Sequence, residues 1–174
     1  MDSKPVALIL GSDSDMPKVE GTVKALAELE IPCDVQVLSA HRSPDRVVEF
    51  ARSAEERGVR VILAAAGGAA HLAGAIAAHT NLPVIGIPIQ TDALGGVDSL
   101  YSTVQMPAGV PVATMAIGAG GATNAGIFAA QILAIGDTAL KERLKARKLA
   151  LEQSVGDKNR RVQERMREMG WGGS

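Results

Sequence analysis

VRVILAAAGGAAHLAGAIAA, residues 59–78, is the stretch on which the fold turns. It is nearly uncharged from Val61 to Ala78, so a membrane span must be weighed. A spanning helix takes about 20 predominantly apolar residues. The internal order of this stretch argues for something else. Val59–Ala65 opens with β-branched residues and reads as a buried strand, Gly67-Gly68 interrupts it, and Leu72–Ala78 reads as a helix. Strand, glycine loop and helix follow one another within a single short segment.

The same alternation extends outward in both directions. Upstream, Val6–Leu10 is a strand, Gly11–Asp15 a loop, and Pro17 opens a helix with Val19, Val23 and Leu26 on its apolar face. Val35–Leu38 is a second strand, followed by the loop Ser39–Ser43. The next helix has Ser43 as its cap and Pro44 at its first position, and Val47, Val48, Ala51 and Ala54 form its inner face. Downstream, Pro83–Ile87 is a strand, and a loop with Gly95-Gly96 leads to a short helix from about Ser99, capped by Asp98. Val112–Ile117 is a fifth strand, Gly118–Gly121 a loop and Ala122–Ile135 a helix. Strands that are apolar on both faces imply a parallel sheet covered on both sides. With right-handed crossovers, the expectation is an α/β fold: a three-layer, doubly wound, flavodoxin-like sheet of five strands.

Composition narrows the function classes. The chain has 174 residues, 47% hydrophobic but only 2% aromatic, so its core must be built from Ala, Val, Ile and Leu. A net charge of −1 gives no reason to expect nucleic acid or an anionic membrane as partner. The single cysteine, Cys33, excludes an internal disulfide and reads as a buried, inert thiol. The start of the chain lacks the basic region and long apolar run of a signal peptide, so the expectation is a cytoplasmic protein.

The C-terminal segment differs from the rest. From Asp137 to about Glu168 it reads as helical, with Leu140, Leu144 and Leu151 as an apolar stripe and with Lys and Arg far outnumbering Asp and Glu. Gly156-Asp157 is expected to break this helix in two. Residues 1–155 then form one catalytic domain, including the start of the helix, and residues 156–174 a charged tail. Two readings stand side by side: a solvated helix lying on the domain, or an arm packed on a neighbouring subunit.

In open α/β sheets, ligands bind outside the carboxyl ends of the strands, at the switch in strand order. Three loops there carry unusual residues. After the first strand, Gly-Ser-Asp-Ser-Asp (11–15) puts the hydroxyls of Ser12 and Ser14 beside a helix start, which suits a phosphate; Asp15 suits ribose hydroxyls. An Asx-rich turn is the plain alternative. After the second, Ser39-Ala40-His41-Arg42 adds a guanidinium that can hold phosphate oxygens bidentately. After the third, Gly67-Gly68-Ala69 offers backbone N–H groups to a ligand, and His71-Leu72 follows at the helix start. Histidine titrates near neutrality, and His41 and His71 stand at neighbouring strand ends, which favours proton transfer. His79, near a helix end, reads as solvated.

Other chemistries lack their signatures. No Gly-Lys-Ser/Thr follows a glycine loop, and no His-Glu-x-x-His or Gly-x-Ser-x-Gly is present. Gly118-Ala-Gly-Gly-Ala-Thr123 approaches the dinucleotide fingerprint but fails at Thr123 and follows the wrong strand. The histidines and Cys33 lack metal-ligand spacing, so no metal is expected.

The loops, with Gly96-Val-Asp-Ser-Leu-Tyr-Ser-Thr-Val-Gln-Met-Pro107 and Gly109-Val-Pro-Val-Ala-Thr114, closely resemble the N5-carboxyaminoimidazole ribonucleotide mutases of purine biosynthesis. The resemblance runs from about Val6 to Leu151. It implies movement of a carboxylate from the exocyclic amine of a ribonucleotide to carbon 4 of its imidazole, without ATP, biotin, metal or other cofactor. Carbon dioxide, released and held in the site, adds to the ring carbon while one histidine delivers and then removes a proton. His71 matches that histidine and His41 a second one in the site. Ser12, Asp15 and Arg42 match residues that hold ribose and phosphate. The resemblance also implies homo-octamers. Where the family usually has proline after His-Leu, this chain has Ala73, which is expected to loosen the turn slightly. An aminoimidazole ribonucleotide carboxylase using free carbon dioxide and a non-catalytic phosphoribosyl-ligand sensor are the competing readings.

Overall fold

The computed structural model describes residues 4–171. Five strands, β1 (Val6–Leu10), β2 (Cys33–Val37), β3 (Val61–Gly67), β4 (Val84–Ile89) and β5 (Ala113–Thr114), alternate with helices α1 (Met16–Glu28), α2 (Pro44–Ser53), α3 (Leu72–Ala77), α4 (Val97–Val104) and α5 (Ala119–Leu133). All strand pairs are parallel, in the order β2-β1-β3-β4-β5. This is the flavodoxin-like order, and it agrees with the doubly wound sheet expected from the sequence. The nearly uncharged stretch resolves into β3, a glycine loop and α3; no helix among the described residues is long and apolar enough to cross a membrane.

Alternation along each strand divides the core. Val6, Leu8 and Leu10 of β1, with Val61 and Leu63 of β3, face α1 and α5. Ala7 and Ile9, with Ile62 and Ala64, face α2 and α3. Small residues let α1 and α5 approach closely. The buried Thr22 hydroxyl donates to the Ala122 carbonyl at 2.7 Å, and a Cβ on Gly126 would stand 2.7 Å from the Thr22 carbonyl oxygen.

β5 is far shorter than the expected Val112–Ile117, and the cause lies in its neighbour. Ile85 pairs with Ala113 and Gly86 with Thr114, and the Met115 N–H reaches the Gly86 carbonyl at 2.9 Å. In a parallel ladder the next donor toward β5 would be the N–H of residue 88, which is Pro88 and has none. The ladder stops there.

Other boundaries shift for local reasons. α4 begins at Val97 behind Gly96, which adopts φ 94°, so Asp98 is not its cap; the Asp98 carboxylate accepts from Thr91 Oγ instead, at 2.9 Å. Ser43 does hold the cap position of α2 ahead of Pro44, its carbonyl accepting from the Val47 N–H at 3.3 Å, but its side chain makes no cap bond. Its hydroxyl is spent on Ser39, accepting from the backbone N–H and donating to the carbonyl, each at 3.1 Å. Cys33 is only partly buried, and burial pushes its thiol up to about 11. His79 is not simply solvated, since its Nδ1 lies 2.9 Å from the Ala75 carbonyl oxygen.

A sixth helix, α6 (Thr138–Glu168), runs unbroken through Gly156 and Asp157. The expected break is absent: one exposed glycine costs only about 1 kcal/mol in a helix, and Asp157 pairs with Arg160 across the next turn. The division at residue 155 therefore falls inside a continuous helix, and residues 172–174 lie outside the described range. The first turns of α6 rest on the domain. Leu140 is buried, Arg143 Nε donates to the Leu29 carbonyl at 3.0 Å, and Arg147 pairs with Glu28. Further along, Leu151, Val155 and Val162 are exposed, so the stripe read through Leu151 leaves the domain surface.

Candidate functional site

β1 is flanked by β2 on one side and β3 on the other. The chain leaves β1 for one face of the sheet and β3 for the opposite face, so a crevice opens between their carboxyl ends. A cavity of about 200 Å³ occupies this crevice. Ser12, Asp15, Ser39, Ala40, His41, Arg42, Gly67, Ala69, His71 and Leu72 line it, together with Gly11 and Ala66. Two sequence candidates stand outside the lining, Ser14 and Gly68. A larger groove of about 1130 Å³ lies at the opposite end of the sheet, around Pro5, Ile31, Arg60 and Pro83, and holds none of the histidines.

The first loop is self-contained. Ser12 caps a single 3-10 turn, Asp13–Asp15: the Ser12 N–H donates to Asp15 Oδ2 at 3.1 Å, and the Ser14 hydroxyl donates to Ser12 Oγ at 2.9 Å. The Asp15 side chain is buried at 8% exposure, and that burial raises its carboxyl above the ordinary value despite the Ser12 N–H and the charge of Lys18. The second loop is tied to itself through Ser39, whose hydroxyl accepts from the Arg42 N–H at 3.2 Å. Arg42 is exposed and has no ion-pair partner among the described residues.

The third loop meets the second directly. His41 Nε2 and His71 Nδ1 are 2.8 Å apart, and the rings meet edge to face at 86°. The sequence placed these histidines at neighbouring strand ends but could not show that they touch. Gly68 departs from expectation: its N–H is not open to a ligand but is held by Ser99 Oγ at 2.9 Å. The sequence pattern marks Ser99 only as the start of a helix. The one signal that sets it apart is its place in the Gly96–Pro107 motif. Ala73 is buried in the second position of α3, directly behind His71 and Leu72.

The model of the AIR carboxylase family matches residues 5–154. The chain belongs to this family. Among its relatives, the N5-carboxyaminoimidazole ribonucleotide mutase of Synechocystis sp. is 53% identical over 153 residues, covering 88% of this chain and 86% of the relative. The mutase of Thermotoga maritima is 49% identical over 159 residues, 91% of this chain and 92% of the relative. The mutase of Escherichia coli K12 is 55% identical over 139 residues, 80% and 82% of the two chains. Among solved structures, a PurE from Treponema denticola superposes with a TM-score of 0.82 over 91% of this chain and 98% of its own, at 24% identity. At that identity the likeness speaks to the fold alone. The family match stops at residue 154, inside α6.

Proposed function

We propose that this chain is an N5-carboxyaminoimidazole ribonucleotide mutase, converting the N-carboxylated ribonucleotide into its 4-carboxy isomer in purine biosynthesis. The observation that carries the proposal is the hydrogen bond between His41 and His71 at the mouth of the cleft. The identity to mutases across most of the chain points the same way.

The reaction is an isomerisation. Protonation of the carbamate nitrogen lets its C–N bond break, leaving the amine and carbon dioxide. Carbon 4 of the imidazole then attacks carbon dioxide, and loss of the carbon 4 proton restores aromaticity. The proton given to nitrogen is recovered from carbon, and the substrate supplies its own carboxylate, so the balance calls for no oxidant, nucleotide or cofactor.

One acid–base group must both give and take. In a neutral histidine pair, one proton lies between the rings and each imidazole keeps one nitrogen for a ligand. A further proton makes the pair cationic, and this is the proton delivered to nitrogen and recovered from carbon 4. The pair, rather than His71 alone, is the proton carrier in this reading. The unpaired Arg42 guanidinium and the Ser12 hydroxyl take the 5′-phosphate, Asp15 the ribose hydroxyls, and Gly67, Ala69 and Leu72 border the base and the transient carbon dioxide.

The enzyme is placed in the cytoplasm as a homo-octamer; light scattering reporting a monomer would remove that part. The activity itself is tested by offering two substrates: the carbamate, or aminoimidazole ribonucleotide with bicarbonate. Faster turnover of the carbamate is expected. Faster turnover of the second pair would make the chain a carboxylase, and ligand binding without turnover of either would make it a sensor.

A further inference from the structure

We propose that Ser99 is a positioning residue whose hydroxyl is wedged into the β3–β4 ladder and holds open the glycine loop that carries His71. The proposal rests on the reading of the cleft given above.

The ladder geometry is explicit. Ile62 pairs with Val84 and Gly67 with Ile89, and the Ile62 N–H donates to the Pro83 carbonyl at 3.0 Å. In a parallel ladder, alternate residues of β3 donate to β4. Counting up from Ile62, the rung after the last paired residues would join the Gly68 N–H to the Ile89 carbonyl. That rung is not made. The Ser99 hydroxyl stands in its place, accepting from the Gly68 N–H at 2.9 Å and donating to the Ile89 carbonyl at 2.7 Å.

Ser99 is fully buried, at 0% exposure, on the third residue of α4. A buried hydroxyl is tolerated when both its donor and its acceptor capacity are used, as here. One turn on, the Ser102 hydroxyl contacts the Gly68 carbonyl at 3.3 Å. That hydroxyl's own proton goes to the Asp98 carbonyl at 2.7 Å, so the Gly68 peptide is held to α4 chiefly through Ser99.

Gly68 is the pivot of the loop. It adopts φ 67°, open to glycine at little cost, and its carbonyl also accepts from the Ala70 N–H at 2.8 Å. The His71 N–H then reaches the Ala69 carbonyl at 2.7 Å, and His71 is the cap residue immediately before α3. The position of the His71 ring against His41 follows from where Gly68 is held.

Removing the hydroxyl leaves the Gly68 N–H and the Ile89 carbonyl facing each other without partners. The ladder can close by one rung, drawing Gly68 toward β4 and His71 off its register with His41. The loops after β1 and β2, which hold the ribose and phosphate in the proposed site, are untouched.

The experiment is Ser99→Ala, read by steady-state kinetics on the carbamate and by a crystal structure of the variant. The expected kinetic result is a fall in kcat of roughly tenfold or more, since a displacement of about 1 Å can cost up to a hundredfold, with KM within about threefold. The expected structural result is a direct Gly68–Ile89 hydrogen bond and a broken His41–His71 contact. A kcat within twofold of the parent, or an unmoved loop with water in place of the hydroxyl, overturns the proposal. If the parent turns over no carbamate, the mutase reading fails while the crystal structure still decides this one. Should Ser99→Ala not fold, Ser99→Cys, which keeps a weaker and longer donor and acceptor at the same place, must show the same kcat-selective loss, smaller in size; an unchanged kcat there also overturns it.

Discussion

His41→Asn, His71→Asn and the double variant test the functional unit proposed for the cleft. The two rings share one hydrogen bond of 2.8 Å, and both side chains are exposed, so neither substitution opens a cavity. Folding stability should therefore change by no more than about 0.5 kcal/mol. Turnover should change far more, because general acid–base catalysis contributes roughly 10²–10⁴-fold, or about 3–5 kcal/mol of barrier. Groups that act as a unit lose activity non-additively. Each single variant is expected to lose at least about a hundredfold in kcat, and the double variant no more than the worse single one. The assay is steady-state conversion of the carbamate, with product-analogue affinity measured by calorimetry and expected within a few-fold of the parent. Losses that simply multiply would refute the coupled pair. Near-normal turnover in both single variants would refute the proton-carrier role altogether.

Arg42→Ala removes a guanidinium that pairs with nothing in the described residues, so its effect belongs to the ligand. Two charge-assisted bonds at about 1.5 kcal/mol each predict roughly a hundredfold weaker binding of 5′-phosphorylated ligands by calorimetry and little change for the dephosphorylated forms; equal losses would remove the phosphate assignment. Asp15→Asn keeps an acceptor for the Ser12 N–H while removing a buried charge. Because burial raises this carboxyl in the folded chain, the folded state binds the proton more tightly, and stability falls as pH rises above the ordinary aspartate range near about 3.9. The variant should have the higher Tm at neutral pH, with the gap closing as pH falls into that range and with weaker ribonucleotide binding; a gap that widens on acidification would contradict this. Gly126→Ala places a Cβ 2.7 Å from the Thr22 carbonyl oxygen where α1 and α5 cross. The forced separation should cost about 1–3 kcal/mol, lowering Tm in calorimetry by several degrees; an unchanged Tm would show that the crossing relaxes freely.

Much of the fold could be read in one dimension. Buried parallel strands are short, apolar on both faces and punctuated by glycine or capping residues, and the stretch from Val59 to Ala78 shows all three features. Its helix, Leu72–Ala77, lies where the pattern put it, and its strand runs Val61–Gly67, two residues later than the pattern's Val59–Ala65. The fifth strand failed because the residue that ends it, Pro88, belongs to another strand. Local propensity marks Gly156 as a breaker, yet in an exposed helix its cost is small and α6 runs through it.

The candidate site divides along the same line. The amino-acid types and the family pattern placed His41, His71, Arg42, Ser12 and Asp15 at the carboxyl ends of three strands, and the strand order brought these ends together. That much follows from the sequence, because a parallel sheet gathers its strand ends on one edge whatever the details of packing. Only the tertiary structure decided that the two imidazoles touch, that the Gly68 N–H is already taken, and that a serine of α4 occupies a rung of the ladder. Each of these depends on register and on contacts between residues about thirty positions apart, fixed by pairing and packing that no local pattern encodes.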